Sequence, residues 1–301
     1  MKDKYKHSTS QLFNFAQDSY LDRTSRPIYA MVFLLPFIIF YEVGTFCINT
    51  DILNQSQIRV VAFVWLQNLL ESLGFGGKFA WVAPPLAVVV ILIALQLVSG
   101  KRWRFWFGDI WLMAAECVLL AVPLVVFVLF INTLGQTQSG VDCFDRTSTR
   151  MQDTAITSCS AVTVDSSSTN VGDGGNKSAW KYWVANIVTG IGAGIYEELV
   201  FRLILICVLM MLFEDALRLN HKNSMILSVL ISAILFSAHH HIDFFSGEPN
   251  PTDPFNLAEF AFRTIAGIYF AILFAIRGFG ITAGTHAFYN IIAVFINIRF
   301  F

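Results

Sequence analysis

The stretch from 110 to 132, IWLMAAECVLLAVPLVVFVLFIN, contains a single charged residue and is long enough to cross a bilayer as a helix, since a crossing needs about 20 apolar residues. Six further apolar stretches have comparable length, at roughly 28–48, 79–99, 183–213, 225–241, 257–276 and 279–297. Together they predict an all-α fold, a polytopic transmembrane helix bundle with about seven or eight spans.

The uncertainty in the number of spans comes from RVVAFVWLQNLLESL at 59–73. This segment is apolar but includes Gln67, Asn68 and Glu71. Such a composition fits an interfacial or re-entrant helix as well as an eighth span, and we expect it to be interfacial.

The overall composition also requires a membrane. Hydrophobic residues make up 55% of the chain and charged residues 14%, with a mean hydropathy of +0.61, which is too apolar for a soluble domain. A formal net charge of -1 provides no basic field for nucleic acid. We therefore expect a multi-pass protein of the bacterial inner (plasma) membrane whose partners are membrane lipids and a peptide or membrane-protein substrate.

The distribution of basic residues predicts the topology. Lys and Arg collect in the N-terminal segment, at 101–104, at 218–222 and at Arg277, which places these regions in the cytoplasm. The polar segment before Pro27 lacks the pattern of a signal peptide. The predicted organisation is a cytoplasmic segment at 1–27, N-terminal transmembrane helices at 28–132, an extracytoplasmic loop at 133–182 and a second transmembrane region at 183–301.

The stretch from Thr133 to Lys177 is rich in Ser, Thr, Gly and Asp, so it cannot bury a core of its own. It contains Cys143 and Cys159, the two cysteines outside the apolar spans. On the oxidising side of the membrane they can form a disulfide; the alternative is two unpaired thiols.

Ionisable side chains at bilayer depth cost about 2.5 to 3.5 kcal/mol each, so each needs a reason to be there. Glu42 and Glu116 stand alone on their predicted helices, which favours a structural role for both. Glu259 and Arg263 are spaced i,i+4, and a structural ion pair explains them.

Glu197, Glu198 and Arg202 lie in the middle of an otherwise apolar helix. The i,i+4 spacing allows Arg202 to neutralise Glu198, while Glu197 is rotated by about 100° and points elsewhere. A free carboxylate in such surroundings has the properties of a general base. Small residues that allow another helix to approach closely precede the pair, at Gly190, Gly192 and Gly194.

Two later segments add histidines. The run His239, His240 and His241 ends one predicted span, and at least one of the three is expected to be merely interfacial. The last span carries His286 and Asn290 on one face, which suggests a polar cavity whose N–H groups hold an oxyanion.

These residues resemble the three motifs of the CAAX protease and bacteriocin-processing (CPBP) family of intramembrane endopeptidases. Here the motifs read Glu197-Glu198-Leu-Val-Phe-Arg202, Phe236-Ser-Ala-His-His240 and His286-Ala-Phe-Tyr-Asn290, in that order. Each motif alone is weak, whereas the ordered set is specific.

The resemblance covers roughly 183–297 and implies an endopeptidase without a metal or other cofactor. It assigns water activation to Glu197 with help from His240, and stabilisation of the tetrahedral intermediate to His286 and Asn290, with Glu198, Arg202 and Phe236 in support. Three features depart from the family: seven clear spans where eight are typical, a His triplet that makes His239 a rival to His240, and the long outer insert.

Two other classes of function compete with this interpretation. Glu and His residues also build zinc sites, although the helical His-Glu-x-x-His signature is absent. Alternatively, the same polar residues line a path in a transporter, a channel or an immunity-type membrane protein, or form the binding cavity of a pseudoenzyme. Nothing in the loops distinguishes prenylated peptides, leader peptides and membrane-protein segments as substrates.

Overall fold

The structure, a computed structural model, describes residues 16, 18–50, 60–74, 82–139, 175–244, 247–250 and 253–296. In these ranges every regular element is helical, which confirms the all-α prediction. The α-helices in chain order are α1 (Tyr20–Thr24), α2 (Pro27–Thr50), α3 (Val61–Ser72), α4 (Ala83–Ser99), α5 (Gly108–Ser139), α6 (Gly175–Glu198), α7 (Ile206–Met211), α8 (His221–His241), α9 (Leu257–Arg277) and α10 (Phe279–Ile296).

Five of the described helices contain stretches that are long and apolar enough to cross a membrane, at Pro27–Ile48, Gly108–Ile131, His221–His241, Leu257–Arg277 and Phe279–Ile296. A sixth apolar helix, α4, is shorter. The predicted segment 183–213 lies in a longer helical run that contains two π-helical segments, Leu199–Leu205 and Leu212–Ala216. Within the described residues, each of the seven apolar stretches therefore overlaps a helix, as predicted.

The helices around the predicted extracytoplasmic loop extend further than the sequence suggested. Helix α5 continues to Ser139, beyond the expected loop start at 133, and α6 begins at Gly175, before the expected loop end at 182. A helix can extend past the bilayer into water, so the limits of an apolar stretch need not coincide with the ends of its helix. The proposed Cys143–Cys159 pair lies outside the described residues.

Helix α3 settles part of the uncertainty in the number of spans. Its 12 residues reach about 18 Å at 1.5 Å per residue, short of the roughly 30 Å hydrocarbon core. Helix α3 alone therefore does not form an eighth span. Its buried face packs into the bundle, where the Phe63 ring lies 4.9 Å from Tyr196 and 5.9 Å from Tyr41.

The close contact between α6 and α10 depends on glycine. A Cβ atom at Gly194 would lie 2.5 Å from the backbone nitrogen of Ala287, and one at Gly190 would lie 2.8 Å from the Cβ of Asn290. Side chains at these positions would force the helices apart. The prediction that small residues precede the Glu197-Glu198 pair to admit a neighbouring helix is confirmed.

At one end of the bundle, called the inner end here, Arg277 donates to both carboxylate oxygens of Glu116 at 2.6 and 2.7 Å. Tyr20 also donates to Glu116 at 2.7 Å, so Glu116 has the structural role that the sequence favoured. Its partners lie far away in sequence, where spacing rules do not reach. These bonds join α1 and the end of α9 to α5.

The same end brings together three of the four regions predicted to be cytoplasmic. Arg23 forms a bidentate pair with Asp109 at the start of α5, at 2.9 and 3.0 Å. Arg102 lies 3.3 Å from Asp18, whose pKa is lowered mainly by a hydrogen bond from Arg26. The location of these three regions at one end of the bundle agrees with the topology predicted from the basic residues. The side of the membrane on which this end lies stays a prediction.

At the opposite, outer end, the buried side chain of Arg263 donates to Asp253 at 2.8 Å. The predicted i,i+4 partner, Glu259, lies farther away at 3.9 Å. Arg263 also contacts His241 Nε2 at 3.2 Å, and His241 Nδ1 lies 3.3 Å from the Asp253 carbonyl. The main partner of Arg263 is thus a loop carboxylate rather than the helical one.

Candidate active site

The candidate site lies where α6 passes into the π-helical segment Leu199–Leu205. π-helical turns are rare and often mark functional sites. Here Arg202 Nε lies 3.1 Å from Glu198 Oε2, and both side chains are fully buried. The i,i+4 pair predicted from the sequence is present.

Arg202 is held on its other sides as well. Its guanidinium lies 4.1 Å above the Phe236 ring of α8 and donates to the Gly267 carbonyl of α9 at 3.4 Å. Phe236 therefore supports the site by packing against a buried cation. These contacts lock three elements around the ion pair.

The second oxygen of Glu198 fixes a histidine. His286 Nδ1 lies 2.8 Å from Glu198 Oε1, and the His286 ring stacks on Phe270 at 4.6 Å. With the carboxylate as acceptor, Nδ1 carries the proton of this hydrogen bond. The other ring nitrogen, Nε2, then faces Glu197 Oε2 at 3.9 Å.

Glu197 is buried, with 6% of its surface exposed, and its oxygens point towards histidines. His239 Nε2 lies 3.9 Å from Oε1, and His286 Nε2 lies the same distance from Oε2. Both separations exceed the length of a direct hydrogen bond. Glu197 thus differs from Glu198, whose two oxygens have partners at 3.1 and 2.8 Å.

The structure brings both His239 and His240 to the site. Ligand atoms of Glu197, His239 and His240 all lie within 4.8 Å of one another. His239 Nδ1 contacts the Phe236 carbonyl, which turns Nε2 towards Glu197. His240 Nε2 is buried and has no hydrogen-bond partner among the described residues.

His241 belongs to the outer end, where Arg263 and Asp253 hold it. One histidine of the run therefore lies outside the site, as expected. The sequence motif selects His240, whereas the shortest measured distance to Glu197 from this run involves His239. The motif alone therefore does not decide which of the two histidines lies nearer to Glu197.

The Asn290 side chain forms a hydrogen bond between helices. Its side-chain nitrogen donates to the Gly190 carbonyl at 2.9 Å, which ties α10 to α6. One N–H of the amide is therefore used between helices. The second N–H is the donor that an oxyanion role would require.

Sequence reasoning missed the aromatic and apolar surroundings of the histidines. The ring of Trp65 in α3 lies 5.7 Å from His239, and that of Phe201 lies 4.8 Å from it. Both contribute to an open apolar pocket of about 300 Å³, lined by Trp65, Val200, Phe201, Ile204, Leu205, Val208, Leu235 and Phe244. The sequence carries no signal for this contact, because α3 is distant from α8 along the chain.

A second missed contact reaches the site from α2. Tyr196 donates to Glu42 at 3.2 Å, so Glu42 faces the bundle interior beside the residue that precedes Glu197. A packing hydrogen bond for Glu42 was one of its expected roles.

The donor set also fits a divalent metal. One carboxylate and two imidazoles are ligands typical of zinc, and a ligating histidine usually donates its other nitrogen to a carbonyl or carboxylate. His239 does so towards Phe236. Glu197, His239 and His240 are therefore the residues that would hold such an ion.

Comparison with known proteins identifies one family. The sequence model described as type II CAAX prenyl endopeptidase Rce1-like matches residues 179–292. No curated protein and no solved structure matches the chain. The matched region includes all three motifs, so the resemblance noted in the sequence is confirmed over these residues.

Proposed function

Because residues 179–292 belong to the CAAX protease and bacteriocin-processing family, we propose that this protein is an intramembrane endopeptidase that uses Glu197 to activate water. The observation that carries the proposal is the contrast between the two adjacent glutamates. Glu198 has Arg202 Nε at 3.1 Å as its ion-pair partner and His286 Nδ1 at 2.8 Å, while Glu197 faces two histidine nitrogens at 3.9 Å.

A water hydrogen-bonded to the Glu197 carboxylate provides the nucleophile. Glu197 takes one proton, the hydroxide oxygen attacks the carbonyl carbon, and the protonated Glu197 then transfers the proton to the leaving amine. The Glu197 oxygens lie 3.9 Å from His239 Nε2 and from His286 Nε2. This separation suits a water molecule that bonds to both groups better than it suits a direct hydrogen bond. His240 supplies the second contact to this water in the proposal.

The oxyanion of the tetrahedral intermediate requires N–H donors. In the imidazolium form, His286 donates from Nε2 while Nδ1 stays bonded to Glu198. The free N–H of Asn290 is the second candidate donor. Losing one such donor typically costs about 10²- to 10³-fold in rate.

The substrate class follows from the family description and from the apolar surroundings. The family description names a prenyl endopeptidase, and two residues that line the apolar pocket, Trp65 and Phe201, have rings 5.7 and 4.8 Å from that of His239. We therefore propose a peptide with a lipid-modified cysteine as the substrate. A farnesylated peptide and its unmodified counterpart test this by their relative cleavage rates.

Metal-dependent hydrolysis is a second candidate, favoured by the Glu197, His239 and His240 donor set. The two mechanisms predict different responses to chelation of the purified protein in nanodiscs. The glutamate mechanism predicts unchanged cleavage after exhaustive treatment with a chelator, with less than one equivalent of metal by elemental analysis. Loss of cleavage that one equivalent of zinc restores would contradict it in favour of metal catalysis.

A further inference from the structure

A cationic and aromatic surface lies at the inner end of the bundle, remote from the candidate site. We define the inner patch as six residues of the α4–α5 connection and the first turn of α5: Arg102, Trp103, Arg104, Trp106, Phe107 and Trp111. Its aromatic members are largely exposed, from 55% for Trp103 to 80% for Trp111. Large aromatic rings in that position need a partner.

The backbone beneath the patch is well anchored. Gln96 donates to the Lys101 carbonyl at 2.9 Å, and the Trp106 N–H donates to the Tyr29 hydroxyl at 3.2 Å. The Phe105 ring packs against Tyr29 at 4.9 Å. The connection is therefore fixed to α2 and α4, and this geometry holds the outer side chains in place.

The acidic groups nearby are largely committed to other cations. Asp109 is paired with Arg23 at 2.9 Å, and Asp18 lies 2.8 Å from Arg26. Arg102 reaches Asp18 only at 3.3 Å, through a pair in which 59% of its side chain is exposed. Among the described residues, no ion pair to a carboxylate involves Arg104. The patch thus keeps a positive surface despite the acidic neighbours.

The patch also marks a boundary in polarity. Beyond Trp111, the exposed positions of α5 become aliphatic, with Leu112, Leu119 and Val122 facing outward. Along this surface, guanidinium groups are followed by indole rings and then by aliphatic side chains. This order matches the change from lipid headgroups to acyl chains at a membrane boundary. Tryptophan is enriched at that level because its ring is apolar and its N–H is polar.

We propose that the inner patch is a binding surface for anionic phospholipids. Arg102 and Arg104 contact the headgroup phosphate, while Trp103, Trp106 and Trp111 lie at the level of the headgroups and upper acyl chains. This inference is independent of the proposed peptidase activity. The other predicted cytoplasmic loop has Arg218 and Lys222 but no tryptophan. We therefore expect the lipid preference at the inner patch and not at that loop.

Quenching of tryptophan fluorescence by brominated lipids tests the proposal. The full-length protein is reconstituted in phosphatidylcholine vesicles that contain equal small fractions of either brominated phosphatidylglycerol or brominated phosphatidylcholine. We expect stronger quenching by the anionic lipid. In R102Q/R104Q the relative association constant of the anionic lipid should fall by about fivefold per cation at low salt, since each basic residue contributes about 1 kcal/mol.

The matched control, R218Q/K222Q, removes two cations from the other loop and should leave the preference unchanged. The charge-conserving R102K/R104K should retain it within about twofold. Should R102Q/R104Q fail to fold, the wild-type preference must still weaken in 0.5 M salt, because salt screens exposed charges. Equal quenching by the two lipids, or an equal loss in R218Q/K222Q, would overturn the proposal.

Discussion

The charge cluster around Glu116 at the inner end and the one at the candidate site differ in how closely their carboxylates are paired. At the inner end, Arg277 and Tyr20 place hydrogen bonds on both oxygens of Glu116, all between 2.6 and 2.7 Å. Arg277 also donates to Thr24 and to the Leu21 carbonyl. Such a cluster holds helices together and leaves no carboxylate oxygen for chemistry.

At the candidate site, one carboxylate follows this pattern and its neighbour does not. Glu198 has Arg202 and His286 as close partners, whereas the nitrogens nearest to Glu197 lie at 3.9 Å. Burial of a charge therefore does not by itself identify a catalytic group. The useful criterion is a buried carboxylate whose nearest nitrogens lie beyond hydrogen-bond distance, adjacent to one whose oxygens both have closer nitrogen partners.

The largest expected effect on stability is that of Glu198→Gln. The substitution leaves the fully buried Arg202 without its counter-charge, and breaking a buried pair in this way costs about 3 to 5 kcal/mol. Thermal unfolding in detergent measures the loss. Glu197→Gln is the matched control and should change stability far less; equal melting temperatures for the two variants would contradict the division of roles.

A smaller effect, on activity, separates the two histidines of the site. His240→Ala should lower kcat by about 10²-fold or more, because the proposal gives His240 a contact to the reacting water. His239→Ala, the matched neighbour, should cost less, because the resemblance assigns help in water activation to His240 and not to His239. Steady-state cleavage of a prenylated peptide distinguishes them. A larger loss in His239→Ala would transfer the role to that residue.

The smallest effect is expected at the inner end. Glu116→Gln should destabilise the protein by about 1 to 3 kcal/mol, less than Glu198→Gln, because the Glu116 side chain is 20% exposed. Replacing both partners, as in Glu116→Leu with Arg277→Met, should recover much of the loss. The corresponding replacement of Glu198 and Arg202 should not recover activity, since Glu198 also holds His286.

This inner-end prediction is checked by denaturant or thermal unfolding together with peptide cleavage. If the Glu116 and Arg277 double variant stayed as unstable as Glu116→Gln, the cluster would contribute more than an ion pair. If the Glu198 and Arg202 double variant kept full activity, Glu198 would have no part in positioning His286.

The sequence predicted features that depend on local spacing. The apolar stretches coincide with helices, and the Glu198–Arg202 pair follows from the i,i+4 geometry of one helical turn. The close approach of helices at Gly190 and Gly194 could also be predicted, because small residues allow the backbone of a neighbouring helix to approach closely.

The remaining features depend on contacts between distant segments. Glu116 and Arg277 are 161 residues apart, and no periodic pattern joins them. Whether His239 or His240 faces Glu197 depends on how α8 is rotated against α6, because neighbouring residues differ by about 100° around a helix. The Asn290 bond to Gly190 and the contact of Trp65 with His239 likewise require the assembled bundle.

The central claim is that Glu197 performs chemistry while Glu198 maintains structure, and one paired measurement on Glu197→Gln tests it. Cleavage of a prenylated peptide and thermal unfolding are recorded on the same preparation in nanodiscs. The account predicts that kcat falls by about 10²- to 10⁴-fold while the free energy of unfolding changes by less than about 1 kcal/mol. Substantial cleavage by Glu197→Gln protein, or a loss of activity that accompanies unfolding, would contradict it.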